Sequence, residues 1–414
     1  MKYSYLLICS FLSLVLGFTL LKYLTCHPLQ MNLYLFFTCF ILFTLMFLFY
    51  LSFKMKHRFW TTVLISLILI MSGYLITFYA FLNTPEARTL PLITRTKGEP
   101  DLGLGLGLGL GHTAIIVLAH GEPETYAPSA WIKQMKEFDE QKITFIPYPF
   151  RPFFFYSLRE KYLMAGKSGH NFECLQIMKQ IEAEYKNKGD QKTKFYISYL
   201  ENEPHPDTAV IKALNEGASN IIICNIFVTI SSHTQEAIDM ITPLNLKDYG
   251  VSIHYSKPLY DSKSLQQLYV DTLNRSSKNS DKKNVGVILI GHGQPLEWDE
   301  EFYTQTQQET SFRKDILKQL ELDGYISKNL KLAWMEFRDP RPKDAIKHLV
   351  EEGATEIFYF STIIGSESIH AKYDVPQLIH EIKVPNTVKL QQLTAFDDKS
   401  GIVKALIERI EDCK

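Results

Sequence analysis

Three uninterrupted apolar runs open the chain, at about Tyr5–Leu24, Leu33–Phe53 and Phe59–Leu82, and no run of that length recurs after residue 84. A helix rises about 1.5 Å per residue, so each run is long enough to cross a hydrocarbon core of ~30 Å. They predict three transmembrane helices over 1–84. The first, with Lys2 ahead of it, also has the layout of a signal peptide, but two more spans follow at once and no small-residue cleavage pattern stands out. From residue 113 the pattern changes to short apolar segments alternating with amphipathic ones. Strands are predicted near 114–119, 143–147, 194–200 and 220–228, and again near 285–290, 330–336, 356–362 and 388–393. The helices between them include Asp207–Asn215, Lys343–Glu352 and a long one over about 300–322.

Segments such as AIIVLA, NIIICNIFV and VGVILI are apolar without alternation, as strands buried on both faces of a parallel sheet must be. The expected fold class is therefore α/β, two tandem doubly wound parallel-sheet lobes behind an all-α membrane region. Residues 85–112 read as a linker: a polar stretch with prolines, then LGLGLGLGLG, whose alternate glycines oppose a packed strand. Lobe 1 is expected over 113–275 and lobe 2 over 284–414, with the polar run SSKNSDKKN as the seam.

The two lobes repeat one another. Each opens with a strand running into His-Gly-x-Pro, IIVLAHGEP at His120 and VILIGHGQP at His292. Each continues with a strand ending in Glu (Glu201, Glu336), a proline turn, a helix and a glycine. Each then places a histidine beyond a later apolar strand, His233 and His370. In open parallel sheets ligands bind beyond the carboxyl ends of the strands. Four histidines at that edge, two positions each filled twice, therefore point to a site in a cleft between the lobes.

Charge and cysteine usage narrow the function. With 44 Lys+Arg against 45 Asp+Glu, the chain has no electrostatic footprint for nucleic acid. The six cysteines form no CxxC or finger spacing, and Cys224 sits inside an apolar strand as a small hydrophobe. A G-x-S-x-G elbow is absent, AGKSG lacks the earlier glycine of a P-loop, and no GxGxxG follows a strand. Lys54, Lys56 and Arg58 favour a cytoplasmic loop between helices two and three, whereas Arg88, Arg95 and Lys97 come close after helix three. The chain is thus expected to be multi-pass in a membrane, with the side of its C-terminal part open.

On these residues the sequence resembles the class II tetrapyrrole chelatases, the sirohydrochlorin chelatases of the CbiX kind and the ferrochelatases. MEFRDPRPKDAIKHLVEEGATEIFYFS with the later IHAKYDVP is similar to the C-terminal part of a CbiX unit. GHGQP with FYTQTQQETSFRKDIL, and LAHGEP with REKYLMAGKSGHNFECLQIMKQIEAE, resemble segments of the two ferrochelatase lobes. The likeness spans roughly 113–410. It implies that His292 and His370 hold the metal or accept pyrrole protons, with His233 opposite them and His120 as a CbiX-type N-terminal histidine. The Asp-x-x-Glu-Thr-Leu run that follows the ferrochelatase histidine is absent; AKYDVP takes the CbiX form.

The chemistry suits the residues. Neutral imidazole accepts a proton near pH 7 and ligates Co²⁺ or Fe²⁺ as a borderline-soft donor. The expected catalytic set is His292, His370, His233, His120 and Glu336, and the expected metal set His292, His370 and His233. Glu201 shares the strand-end place of Glu336. Arg338, Arg341 and Lys372 are candidates to meet substrate carboxylates, and Tyr126, Trp298 and Tyr303 to stack on a flat ring or to pack as core. The expected partners are a tetrapyrrole, a divalent metal as substrate and the lipid bilayer, with no permanently bound cofactor. Two other readings stay open: a ferrochelatase acting on a porphyrin, and a membrane-tethered metal or tetrapyrrole binding protein without turnover.

Overall fold

The computed structural model describes residues 2–54, 59–84, 88–97, 111–140, 146–362 and 365–414. The chain divides into two units, one of residues 1–88 and 125–166, the other of residues 89–124 and 167–414.

In the first unit, helices α1 (Lys2–Thr25), α2 (Met31–Lys54) and α3 (Phe59–Leu82) are each long and apolar enough to cross a membrane. Glycines let α1 and α3 touch backbone to backbone. A Cβ at Gly17 would lie 2.1 Å from the Ile70 carbonyl oxygen, and one at Gly73 would lie 2.4 Å from that of Leu14. Against these helices pack two more that the chain inserts after its first strand, α4 (Pro128–Glu140) and α5 (Arg151–Ala165). The Phe155 ring meets Phe81 edge-on at 5.2 Å, and the fully buried Arg159 donates to the Tyr23 carbonyl at 2.5 Å. The strand expected near 143–147 falls mostly outside the described residues. Just past it, Tyr148–Phe150 forms a single 3₁₀ turn, because Pro147, Pro149 and Pro152 cannot donate to a ladder.

The second unit holds two four-stranded sheets. Strand β1 (His112–Ala119) lies between β2 (Lys194–Tyr199) and β3 (Ala218–Asn225), with β4 (Ser252–Tyr255) outermost, and every pairing is parallel. The second sheet repeats the order: β5 (Val285–Gly291) between β6 (Leu330–Trp334) and β7 (Glu356–Ser361), with β8 (Lys389–Leu393) at the edge, again all parallel. The central strands are sealed, with Ile115–Leu118 and Val287–Ile290 at 0 % exposure. Burying each such side chain is worth about 1.5–3 kcal/mol. The expected strands 194–200, 220–228 and 330–336 end one to three residues early, where the chain turns into the loops at the carboxyl edge of each sheet. β4 went unread because its face alternates half-buried and exposed in a four-residue edge segment.

The connecting helices are α6 (His170–Asn187), α7 (Pro206–Asn215), α8 (Ser232–Ile241), α9 (Lys263–Ser276), α10 (Asp299–Leu322), α11 (Pro342–Glu351), α12 (Val375–His380) and α13 (Ser400–Glu411). α7 and α11 begin at a proline, whose missing N–H costs nothing there. Two helices cross over. α9, which ends the first half in sequence, sets Tyr269 against Phe312, Phe360 and Phe396 of the second half, at ring separations of 5.7, 5.5 and 6.5 Å. α13, which ends the second half, lies on the first sheet, where Cys224 Sγ donates to the Leu406 carbonyl at 3.8 Å. One apolar core consequently runs through both sheets, from Val117 and Ile222 to Val287 and Phe358.

Candidate active site

The duplication holds down to single hydrogen bonds. Ile226 N–H donates to the Leu118 carbonyl and Thr362 N–H to that of Ile290, both at 2.8 Å. Glu201 N–H reaches the His120 carbonyl and Glu336 N–H that of His292, both at 3.0 Å. So in each half the His-Gly corner and the Glu corner are stitched side by side at the carboxyl edge of the sheet. The glycine in each corner is obligatory. Gly121 and Gly293 have φ of 79° and 84°, and a Cβ on Gly293 would lie 2.2 Å from the Glu336 carbonyl oxygen.

The histidines form two pairs, one per half. His120 and His233 stand edge-on with ring centroids 4.5 Å apart, and His292 and His370 do the same at 5.2 Å. β1 neighbours β3 and β5 neighbours β7, so the loop leaving the third strand of each sheet folds over the corner leaving its first. His233 therefore stands with His120 and not with the second pair. The three-histidine metal set His292, His370 and His233 is not assembled: among the described residues, no three His, Cys, Asp or Glu side chains are placed to hold one ion.

Oxygen acceptors fix the ring orientation. His120 Nδ1 lies 2.7 Å from the Gly121 carbonyl, His292 Nδ1 2.6 Å from that of Gly293, and His370 Nδ1 2.7 Å from Asp374 Oδ2. Each Nδ1 therefore carries the proton when the ring is neutral, leaving the Nε2 lone pair for an ion or a proton. His233 stacks near Phe227 at 6.3 Å and has Glu236 3.9 Å away. His292 is braced from behind. Its N–H donates to Glu309 Oε1 at 2.9 Å, and the neighbouring Arg313 is fully buried, donating to the Ala333 carbonyl at 2.6 Å and lying 3.8 Å over Trp334.

The environments set the pairs apart. Burial, with the charge of His233 after it, pulls the pKa of His120 down to about 3. Burial and then His370 lower that of His292, against the pull of Glu336. For His370 burial acts downward as well, but the Asp374 hydrogen bond and the charges of Asp374, Glu122 and Glu336 outweigh it, and its pKa is raised. One ring of the second pair is thus biased to neutrality and its partner to protonation.

Residues that the sequence reading passed over complete the edge. Glu122, in the first His-Gly-x-Pro corner, accepts from Ser168 Oγ and, across the gap between halves, from Ile369 N–H at 3.1 Å. Burial raises its pKa against those bonds. His170, at the start of α6, is buried beside Gly365, and burial followed by His370 lowers its pKa to about 4. Glu173 accepts from Ser366 Oγ and from Glu367 N–H at 3.3 Å, and Gly169 N–H donates to the Glu367 carbonyl at 3.0 Å. Asp374 was legible as the residue four after His370, one helical turn on. His170 and Glu122 gain meaning only once the halves are brought together.

Other candidates have structural work. Arg338 pairs with Asp299, Lys372 lies 3.1 Å from Glu367, and at the start of α11 the Arg341 backbone N–H donates to Asp344 Oδ2 at 3.2 Å. Tyr126 is buried in the first unit, 3.4 Å from the Thr25 carbonyl. Trp298 lies in the 3₁₀ turn Leu296–Trp298, and the Tyr303 side chain lies outside the described residues.

The ferrochelatase family profile matches residues 112–413. The chain belongs to the ferrochelatase family. Membership brings the chelatase class with it, the insertion of a metal ion into a tetrapyrrole, and the two histidine pairs lie inside the matched residues. No curated protein matches. Among solved structures this chelatase-family chain is similar to SirB from Bacillus subtilis with Fe³⁺, at 15 % identity over 73 % of this chain and 95 % of that one, TM-score 0.47. It is also similar to the sirohydrochlorin chelatase SirB of the subspecies spizizenii in complex with cobalt, at 13 % identity, 73 % and 95 % coverage and a TM-score of 0.44. A multi-domain protein from Deinococcus radiodurans with structural similarity to chelatases matches at 9 % identity, covering 72 % of this chain and 54 % of that one, TM-score 0.43.

Proposed function

We propose that this chain inserts Co²⁺ or Fe²⁺ into a tetrapyrrole of the sirohydrochlorin kind, with His292 and His370 as the working pair and the N-terminal helices anchoring it in a bilayer. The observation that carries the reading is that pair: two imidazoles edge-on at 5.2 Å, one of them backed by Asp374. Insertion forms metal–nitrogen bonds and releases two pyrrole protons, so the site needs a donor for the ion and acceptors for the protons. His292, biased to neutrality, offers Nε2 to the ion. His370, with its raised pKa, takes a proton, and Glu336 and Glu122 lie within electrostatic reach to pass it on. His120 and His233 form the matching pair in the first half and are the second place an ion can be held. Four large apolar side chains are exposed close in sequence to these corners, Phe172, Ile230, Leu296 and Phe337. Such a rim suits the face of a flat macrocycle.

The reading without turnover draws on one observation, the lack of a three-ligand group among the described residues. A transfer site is served by the same lack, since a fully enclosed ion would not leave. The test uses the full chain in lipid nanodiscs, incubated anaerobically with sirohydrochlorin and Co²⁺ or with protoporphyrin and Fe²⁺. Wild type is expected to convert the absorption spectrum of the first pair faster than that of the second. His292→Ala and His370→Ala should each slow it by roughly 10²–10⁴-fold. Tight ring binding without metallation, or full activity in both variants, rejects the proposal.

A further inference from the structure

The segment Ile146–Phe153, IPYPFRPF, carries three prolines and sits against α3 well short of that helix's end. Tyr74 is buried and its hydroxyl donates to the Pro149 carbonyl at 2.9 Å. Tyr74 lies eight residues before Leu82, ~12 Å down the helix axis at about 1.5 Å per residue. The neighbouring Tyr148 ring packs on Phe78 at 4.9 Å. From there α5 climbs: Phe155 meets Phe81 near the end of α3, and Arg159 reaches Tyr23 near the end of α1. The turn Tyr148–Phe150, just ahead of α5, thus meets α3 farther from its end than α5 does.

Its backbone is suited to a place without water. Pro147, Pro149 and Pro152 have no N–H to satisfy. Phe150 N–H donates to the Pro147 carbonyl at 2.8 Å, Arg151 N–H donates to that of Tyr148, and Pro149 has Tyr74. Non-helical backbone survives at membrane depth only where its polar groups are met in this way. Arg151 is buried and paired through both Nη atoms with Asp139 at 2.8 and 2.6 Å, and Asp139 itself stays half exposed. Beside that pair Phe150 and Phe153, 60 % and 53 % exposed with rings 6.5 Å apart, face outward.

We propose that the Tyr148–Phe150 turn dips into the lipid bilayer beside α3, with Phe150 and Phe153 lodged among the upper acyl chains and the Arg151–Asp139 pair at the headgroup level. The partner is the lipid itself, and the element is an interfacial anchor separate from the three spans. The proposal rests on the reading that α3 crosses the membrane.

The test is fluorescence quenching of the full chain in phosphatidylcholine nanodiscs, in a background with both Cys39→Ser and Cys413→Ser, the two thiols that are not buried. An NBD label is placed in turn on Phe153→Cys, on Leu67→Cys in mid-α3 and on Leu322→Cys at the end of α10. The label at 153 is expected to be quenched several-fold more by a doxyl group high on the acyl chain than by one near its end, and little by iodide. The label at 322 should respond to iodide alone, and the one at 67 to the deep doxyl group. Iodide quenching at 153 equal to that at 322 overturns the dip while the label at 67 keeps the membrane reading intact. A label at 153 shielded from both quenchers overturns it too, by pointing to a second copy over the phenylalanines. Failure of lipid quenching at 67 removes the membrane reading itself, and the dip with it.

Discussion

Asp374 separates the two histidine pairs. It stands one helical turn beyond His370 and binds its Nδ1, whereas the corresponding position after His233 is Ala237. Replacing Asp374 by Asn removes the largest of the influences that hold the His370 pKa up and leaves only the charges of Glu122 and Glu336 against burial. The acid limb of the activity–pH profile is therefore expected to move to lower pH, with kcat down roughly 10–100-fold, as for other partners that orient a reactive histidine. A limb that stays in place in Asp374→Asn would mean that His370 is not the titrating group. His120 and His170 predict a second pH effect, on stability. Their folded pKa values of about 3 and about 4 lie below the ordinary imidazole value of ~6.5, so between those limits the unfolded chain binds more protons. Stability should be full above roughly pH 6.5 and fall as pH drops toward 4. Thermal midpoints measured between pH 7.5 and 5 check this, and His170→Asn should flatten the dependence. The four corner histidines were legible in the sequence because duplication writes the same corner twice. His170 and Glu122 were not, since each owes its role to residues 195 to 250 positions away.

At the scale of elements, unbroken apolar runs located most of the strands and proline starts located α7 and α11. What no local pattern carries is which sheet a helix covers. α9 ends the first half in sequence yet packs on the second, and α13 does the reverse, because an amphipathic helix shows only that it has an apolar face. The exchange predicts shared stability. Tyr269→Ala, which empties a fully buried position of α9 among Phe312, Phe360 and Phe396, is expected to cost roughly 3–5 kcal/mol. It should lower the urea midpoint of both halves together, read by tryptophans in the second half and by proteolysis of the first. Two separate transitions with only one displaced would contradict the common core.

For the molecule as a whole, the break at residue 84 was plain in the sequence, yet α4 and α5 belong with the helices before it although they lie beyond β1 in the chain. A shortened protein beginning at Thr89 would bare the faces of α5 that carry Phe155, Leu158 and Tyr162. Such a patch favours association, so this fragment is expected to elute as aggregate on gel filtration while the full chain in nanodiscs stays dispersed. The swapped helices have one more consequence. Two halves that merely touched would be free to gape like a clam, but here any gaping would tear Tyr269 and Leu406 from the sheets they seal. On the proposed function, entry of a bulky ring would then fall to the loops at the strand tips, the parts able to shift without breaking the shared core.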